Sequence, residues 1–157
     1  MIRKLSGINE IQLAIDQIIN TARRELQIFD NNLTDGGFGA PARFQLLRRF
    51  LLANRANRMQ IALHDTDYLT RSCARMMTLV RQFPYAVEIR RTLPAARHAS
   101  DAFVLADGLS FWRRYHISDA RSELVFNDDA GGRSLRARFE QIWEASEPAV
   151  AATVLGI

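Results

Sequence analysis

Apolar residues recur at steps of three and four in four stretches of the chain, which is the pattern of amphipathic helices. Ser6 is a suitable cap for the first of them, Pro41 fits the first turn of the second, and Asp65-Thr66-Asp67 supplies capping oxygens for the third. The predicted helices therefore cover Ile8–Ala22, Pro41–Asn54, a third helix carrying Leu69, Cys73, Met76, Met77 and Val80 and ended by Phe83-Pro84, and a last helix carrying Leu135, Phe139, Ile142 and Trp143.

Short β-prone runs lie between and after these helices. The run Ala102–Ala106 is continuously apolar, which is typical of a strand covered on both faces. Asp107-Gly108 follows it as a two-residue turn, so this strand and the next should form a hairpin. The predicted strands are Leu26–Phe29, Arg58–His64, Ala86–Arg90, Ala102–Ala106, Leu109–Tyr115 and Glu123–Phe126.

The alternation of helices and strands predicts an α/β fold, a three-layer α/β/α sandwich with a mixed, mostly parallel sheet. A chain of 157 residues with 48% hydrophobic composition is enough for one domain with its own core. We place that single domain at residues 1–147. The apolar tail at residues 148–157 is too short to span a bilayer and is interpreted as a docked segment, an extra strand or a subunit contact.

Composition excludes several classes of protein and site. The single Cys73 cannot form an intrachain disulfide, and the chain has no apolar run long enough for a membrane span, so we expect a cytoplasmic protein. With one cysteine and three histidines, zinc is excluded as a structural element. His64-Asp65-Thr66-Asp67 combines imidazole and carboxylates, but its spacing is better explained by a strand end and a helix cap. We predict no metal and no cofactor.

The net charge of +4 comes from 20 arginines and a single lysine, Lys4, and the sequence pI is about 10. Such a balance favours anionic partners, including nucleic acid and phosphate esters, although arginines on amphipathic helices also serve simply as a solvated face. The densest group of phosphate-compatible side chains is formed by Arg97, His98, Arg113, Arg114 and His116. Because neighbours on a strand face opposite sides, at most one of Arg113 and Arg114 should share a pocket with His98.

The stretch from Leu93 to Ser146 resembles the second part of a phospholipase D-like half-domain. In that superfamily a strand carries His-x-Lys, four more residues and Asp, and a segment containing Glu and a closing helix with aromatic residues follow. Aligning on Asp107 gives Asp107 and Glu123 counterparts here, but places Ser100 at the histidine position and Ala102 at the lysine position. The resemblance therefore implies a degenerate motif, with His98, two residues upstream, as the remaining imidazole near it.

In the family the histidine attacks phosphorus and the lysine holds the phosphoryl oxygens, and these are separate requirements. The resemblance thus implies a noncatalytic phospholipase D-like domain that acts as a binding or assembly module for a phosphate-bearing or polyanionic ligand. The alternative is a variant phosphodiesterase that uses His98 with arginine assistance. The catalytic candidates are His98, Ser100, Asp107 and Glu123. Single-motif members pair to complete one site, so the resemblance also implies a homodimer.

Overall fold

The computed structural model describes residues 2–150, and eight strands within this range form one sheet. The helices are α1 (Ile8–Thr21), α2 (Pro41–Ala53), α3 (Asp67–Ser72), α4 (Ala74–Gln82) and α5 (Asp129–Glu144). The strands are β1 (Ile2–Ser6), β2 (Glu25–Asp30), β3 (Arg58–Leu63), β4 (Val87–Thr92), β5 (Ala102–Ala106), β6 (Ser110–Arg114), β7 (Arg121–Val125) and β8 (Ser146–Val150).

The sheet has the order β1-β7-β6-β5-β2-β3-β4-β8 and is mixed, as predicted. Only the pairs β2–β3 and β3–β4 are parallel among the described strands, and the other five pairs are antiparallel. The prediction of a mostly parallel sheet is therefore wrong. The apolar run of β5 indicates that both faces of this strand are buried. A strand can be buried on both faces whether its neighbours are parallel or antiparallel, so the run does not predict strand direction.

Helices cover the sheet on both faces and make three layers. One apolar cluster packs α1, α2 and α4 against one face, and a second packs α5 against the other. Phe103, Val104 and Leu105 lie in the middle of β5 and are at most 1% exposed, as the continuous apolar run predicted. On the α5 face, Phe103 packs between Phe29 and Phe139.

The predicted third helix is two helices. Cys73 leaves the helical region, with φ −118° and ψ 61°, and separates α3 from α4. Leu69, Cys73 and Met76 nevertheless remain buried in the same cluster. The periodicity of apolar residues therefore predicted the buried face correctly but did not predict the break in the helix at Cys73.

Two edge strands had no clear pattern in the sequence. β1 pairs antiparallel with β7 and exposes Ile2, Arg3 and Lys4 to solvent. β8 pairs antiparallel with β4, so the predicted domain limit at residue 147 lies inside a strand. Of the three interpretations of the tail, the extra strand describes Pro148–Val150. Residues 151–157 of that tail lie outside the described residues.

Because β2, β3 and β4 run in the same direction, the sheet has a carboxyl edge, where these strands end, and an amino edge, where they begin. β5 runs antiparallel to β2, so β5 begins at the carboxyl edge and ends at the amino edge. β6 then returns to the carboxyl edge. These two edges position most of the candidate site residues.

Candidate functional site

The strand that carries the degenerate motif begins at the carboxyl edge, beside the end of β2. Ser100 is half-buried just before β5, and its carbonyl oxygen accepts a hydrogen bond from the Ile117 backbone N–H at 2.7 Å. Ala102, the first residue of β5, is fully buried. The position aligned with the family lysine therefore lies inside the core, with only a methyl group as its side chain.

Asp101, between these two residues, is held by cations on two elements. Its carboxylate accepts hydrogen bonds from Arg138 Nε at 2.9 Å and Arg138 Nη2 at 2.6 Å, and Arg113 Nη2 lies 3.7 Å away. The Asp101 side chain is only 6% exposed, so the carboxylate of this bidentate pair is largely removed from water, while the Arg138 side chain is 38% exposed. The pairing raises the pKa of the Arg138 guanidinium.

Arg113 and Arg114 face opposite sides of β6, as strand alternation predicted. Arg113 approaches Asp101 and stacks on the Tyr115 ring, with 4.5 Å from its guanidinium carbon to the ring centre. Arg114 is buried on the other face and donates to an oxygen of Asp35 at 3.2 and 3.3 Å. Each of these arginines therefore already has a carboxylate partner within the protein.

Asp30, at the end of β2, adds a buried carboxyl group beside Arg114. Burial raises its pKa, while the backbone N–H of Asn31 and the charge of Arg114 partly oppose that effect. Asp30, Asp35 and Arg114 line a small recess together with Asn32 and Thr34. The recess holds two carboxyl groups against one guanidinium, which does not favour an anion.

His64, which the sequence analysis considered as a strand end or a metal ligand, holds the loop between β4 and β5 by hydrogen bonds. Its Nδ1 lies 2.6 Å from Thr92 Oγ1 and its Nε2 lies 2.6 Å from the carbonyl oxygen of Ala99. Nε2 must donate to that carbonyl, and in the neutral ring Nδ1 then accepts from the threonine hydroxyl. The ring also meets Phe29 edge-on. Both ring nitrogens are engaged in fixing the loop, a role for which the sequence carried no signal.

The remaining members of the predicted anion group lie on the surface. Arg97 and His98 are exposed in the loop that leads to β5, and Arg97 Nε donates to the carbonyl oxygen of Thr92 at 3.4 Å. His116 is exposed after β6 and its Nδ1 accepts from the Ser118 backbone N–H. The described contacts do not join Arg97, His98 and His116 with Arg113 or Arg114 in one pocket.

Asp107 lies at the amino edge, at the opposite end of β5 from Ser100. Its two carboxylate oxygens accept hydrogen bonds from the backbone N–H groups of Arg23, Arg24 and Glu25, at 2.9, 2.8 and 3.0 Å. Asp107 and Gly108 both have positive φ, 56° and 62°, as the predicted two-residue turn requires. The carboxylate thus fixes the beginning of β2 to the β5–β6 turn.

Glu123 lies on β7 and faces neither Ser100 nor Asp107. It pairs with Lys4 at 3.0 Å and accepts a hydrogen bond from Tyr115 Oη at 2.7 Å. Burial would raise its pKa, but the hydrogen bonds from Tyr115 and Lys4 outweigh burial and lower the pKa of the carboxyl group. The lone lysine of the chain is thereby placed on an edge strand, away from the beginning of β5.

The four catalytic candidates consequently lie in three separate places. Ser100 and His98 belong to the carboxyl edge, Asp107 to the amino edge and Glu123 to β7. Within residues 2–150, no group of three or more histidine, cysteine, aspartate or glutamate side chains is arranged to hold a metal ion. None of the described helices is both long enough and apolar enough to cross a membrane.

Comparison with known proteins connects this geometry to a fold family. A model of a family described as a domain of unknown function, DUF7931, matches residues 8–154. No match was found among curated protein sequences.

Solved structures share the fold at low sequence identity. The phospholipase D family member Nuc from Salmonella typhimurium has a TM-score of 0.64 and 12% identity over 96% of this chain and all of that chain. NucT from Helicobacter pylori has a TM-score of 0.60 and 9% identity over 95% of this chain and all of that chain. The archaeal chromatin protein TrmBL2, whose structure shows a mode of DNA binding, has a TM-score of 0.68 and 14% identity over 94% of this chain, which spans 54% of TrmBL2.

Proposed function

Because this chain belongs to the DUF7931 family and has the fold of phospholipase D-family proteins, we propose that it is a noncatalytic phospholipase D-like domain. In this proposal it is a binding or assembly module for a phosphate-bearing or polyanionic ligand.

The observation that carries the proposal is the composition of the carboxyl edge at the beginning of β5. Ser100 and Ala102 occupy the aligned motif positions, and the neighbouring Asp101 is committed to Arg113 and Arg138. Phosphoryl transfer through a covalent intermediate needs both an activated nucleophile and a cation for the developing charge. Arg113, Arg114 and Arg138 each have a carboxylate partner, and both ring nitrogens of His64 are engaged.

Two observations support an anionic ligand. The excess of arginine gives the protein a positive field at neutral pH, which attracts phosphate-bearing chains. TrmBL2, which shares the fold, is described as a chromatin protein with a mode of DNA binding. Nucleic acid is therefore the first ligand to test, and its binding should weaken as salt screens the field.

An activity assay separates this proposal from the alternative of a variant phosphodiesterase. We expect purified protein to release no product above background from a chromogenic phosphodiester, whereas it should bind a labelled nucleic acid at low salt. Turnover that is lost in His98→Ala but kept in the exposed control His116→Ala would establish the variant phosphodiesterase instead. An absence of polyanion binding at any salt concentration would contradict the binding module.

A further inference from the structure

Five arginines gather at the amino edge of the sheet, opposite the degenerate motif. Arg23 and Arg24 precede β2, Arg55 lies in the turn before β3, Arg58 is the first residue of β3, and Arg136 of α5 reaches over Gly108. We refer to Arg23, Arg24, Arg55, Arg58 and Arg136 as the amino-edge arginines. Three of them, Arg24, Arg58 and Arg136, line one open depression of about 410 Å³ together with Glu25, Ala56 and Asp107.

The two carboxylates of this depression do not neutralise the amino-edge arginines. Glu25 forms an ion pair with Arg136, and Asp107 is held by three backbone N–H groups. Within the depression, three guanidinium groups against these two carboxylates leave a formal charge of +1, and Arg23 and Arg55 add two exposed positive charges outside it. At the carboxyl edge, in contrast, Arg113 and Arg138 share the carboxylate of Asp101, and Arg114 pairs with Asp35.

The amino-edge arginines are accessible as well as unbalanced. Arg23, Arg24, Arg55 and Arg58 are exposed, and the Arg136 side chain is 40% exposed. Arginine presents a planar fork of donors that matches phosphate oxygens in pairs. A phosphate group at this edge can therefore be bound without first displacing a buried ion pair.

An exposed aromatic residue continues the same edge. Tyr85 lies in the turn before β4 and is 92% exposed. The backbone N–H of Met59 donates to the carbonyl oxygen of Ala86 at 2.8 Å, which fixes this turn beside the beginning of β3, where Arg58 lies. A tyrosine ring that faces water next to arginines is suited to stack on an unpaired base.

The order of strands sets these groups in a row. Arg136 lies over the turn after β5, Arg23 and Arg24 precede β2, Arg58 begins β3 and Tyr85 precedes β4. With neighbouring strands about 4.8 Å apart, the row from β5 to β4 is about 14 Å long. This length suits a short extended segment of a nucleic-acid strand better than a single phosphate.

From this placement we propose that single-stranded nucleic acid binds along the amino edge, with its phosphates on the amino-edge arginines and a base on Tyr85. The inference rests on the proposed polyanion-binding function and gives it a surface and a substrate class. It places the ligand at the edge opposite the one that aligns with the family motif.

Fluorescence anisotropy with a labelled single strand of about 15 nucleotides, followed over a salt series, tests the proposal. The double variant Arg24→Gln/Arg58→Gln should bind at least about tenfold more weakly and lower the salt slope by about 1.4, as expected for two lost phosphate contacts. The control double variant Arg71→Gln/Arg75→Gln removes the same charge from exposed positions away from the amino edge. It should retain most of the affinity.

Tyr85→Ala provides a second readout that charge does not explain. Loss of one stacked base should weaken single-strand binding by about tenfold, with an unchanged salt slope and unchanged binding to a duplex of the same sequence. Because all the substituted side chains are exposed, the thermal unfolding midpoint of each variant should match that of the wild type.

The possible failures are distinguishable. Equal losses in the two double variants, or an unaffected Arg24→Gln/Arg58→Gln protein, would overturn the amino-edge site while leaving the binding module in place. Preference for vesicles of anionic phospholipid over nucleic acid, or for duplex over single strand, would overturn the substrate class. No binding of any polyanion by the wild type would overturn the proposed function itself.

Discussion

At the scale of single residues, Asp107 shows how a side chain aligned with a catalytic motif serves the fold. It accepts three backbone hydrogen bonds and adopts positive φ, which alanine tolerates poorly. We expect Asp107→Ala to lower the free energy of unfolding by about 2 to 3 kcal/mol in urea denaturation. Asp107→Asn should lose less, since it keeps one oxygen and tolerates this backbone region. A loss below about 0.5 kcal/mol for the alanine variant would contradict the structural role.

The buried carboxyl group of Asp30 gives a prediction on pH. Because burial raises its pKa above the unfolded value, the folded state becomes less stable as pH rises through that raised pKa. Asp30→Asn should therefore be more stable than the wild type near neutral pH. The difference should vanish at about pH 3, below the unfolded pKa of aspartate, where both states of the wild type are protonated. Urea unfolding at several pH values measures this, and an Asn variant that is less stable at neutral pH would refute it.

At the scale of elements, the beginning of α5 packs directly on the β5–β6 turn. A Cβ atom on Gly132 would lie 2.0 Å from the Gly108 carbonyl oxygen, which is backbone and cannot turn away. Alanine gains about 1 kcal/mol in helix propensity, but the overlap should outweigh this gain. We expect Gly132→Ala to lower the free energy of unfolding by about 2 kcal/mol.

Ser134→Ala, at an exposed position of the same helix, is the matched control for Gly132→Ala. It should change the free energy of unfolding by less than about 0.5 kcal/mol. A stabilised Gly132→Ala protein would show that propensity outweighs the contact between α5 and the turn.

At the scale of the whole molecule, we propose that two copies of this chain associate. The resemblance to single-motif phospholipase D-like proteins, which pair, is the reason for this expectation. Light scattering or sedimentation over a concentration series should give the mass of a dimer, twice the 17.9 kDa of the chain. A monomer mass throughout the series would refute the dimer.

The carboxyl edge shows most clearly how far candidate chemistry can be predicted from a sequence. The alternation of β6 correctly separated Arg113 from Arg114, because that separation is a local property of one strand. The carboxylate partners of the basic side chains, at this edge and on β7, could not be predicted. Arg114 meets Asp35 across 79 positions of the chain, Arg138 meets Asp101 across 37, and Lys4 meets Glu123 across 119.

The sequence by itself determined most of the segments that become helices and strands, which of their faces are buried, and where the Asp107-Gly108 turn reverses the chain. These properties follow from the periodicity of side chains along one element and from the backbone freedom of a few residues. Only the tertiary structure decided the direction of the strands, the two edge strands and the partners of the charged groups. Strand pairing and ion pairs join segments that are distant in sequence, and periodicity reports that a face is covered without reporting what covers it.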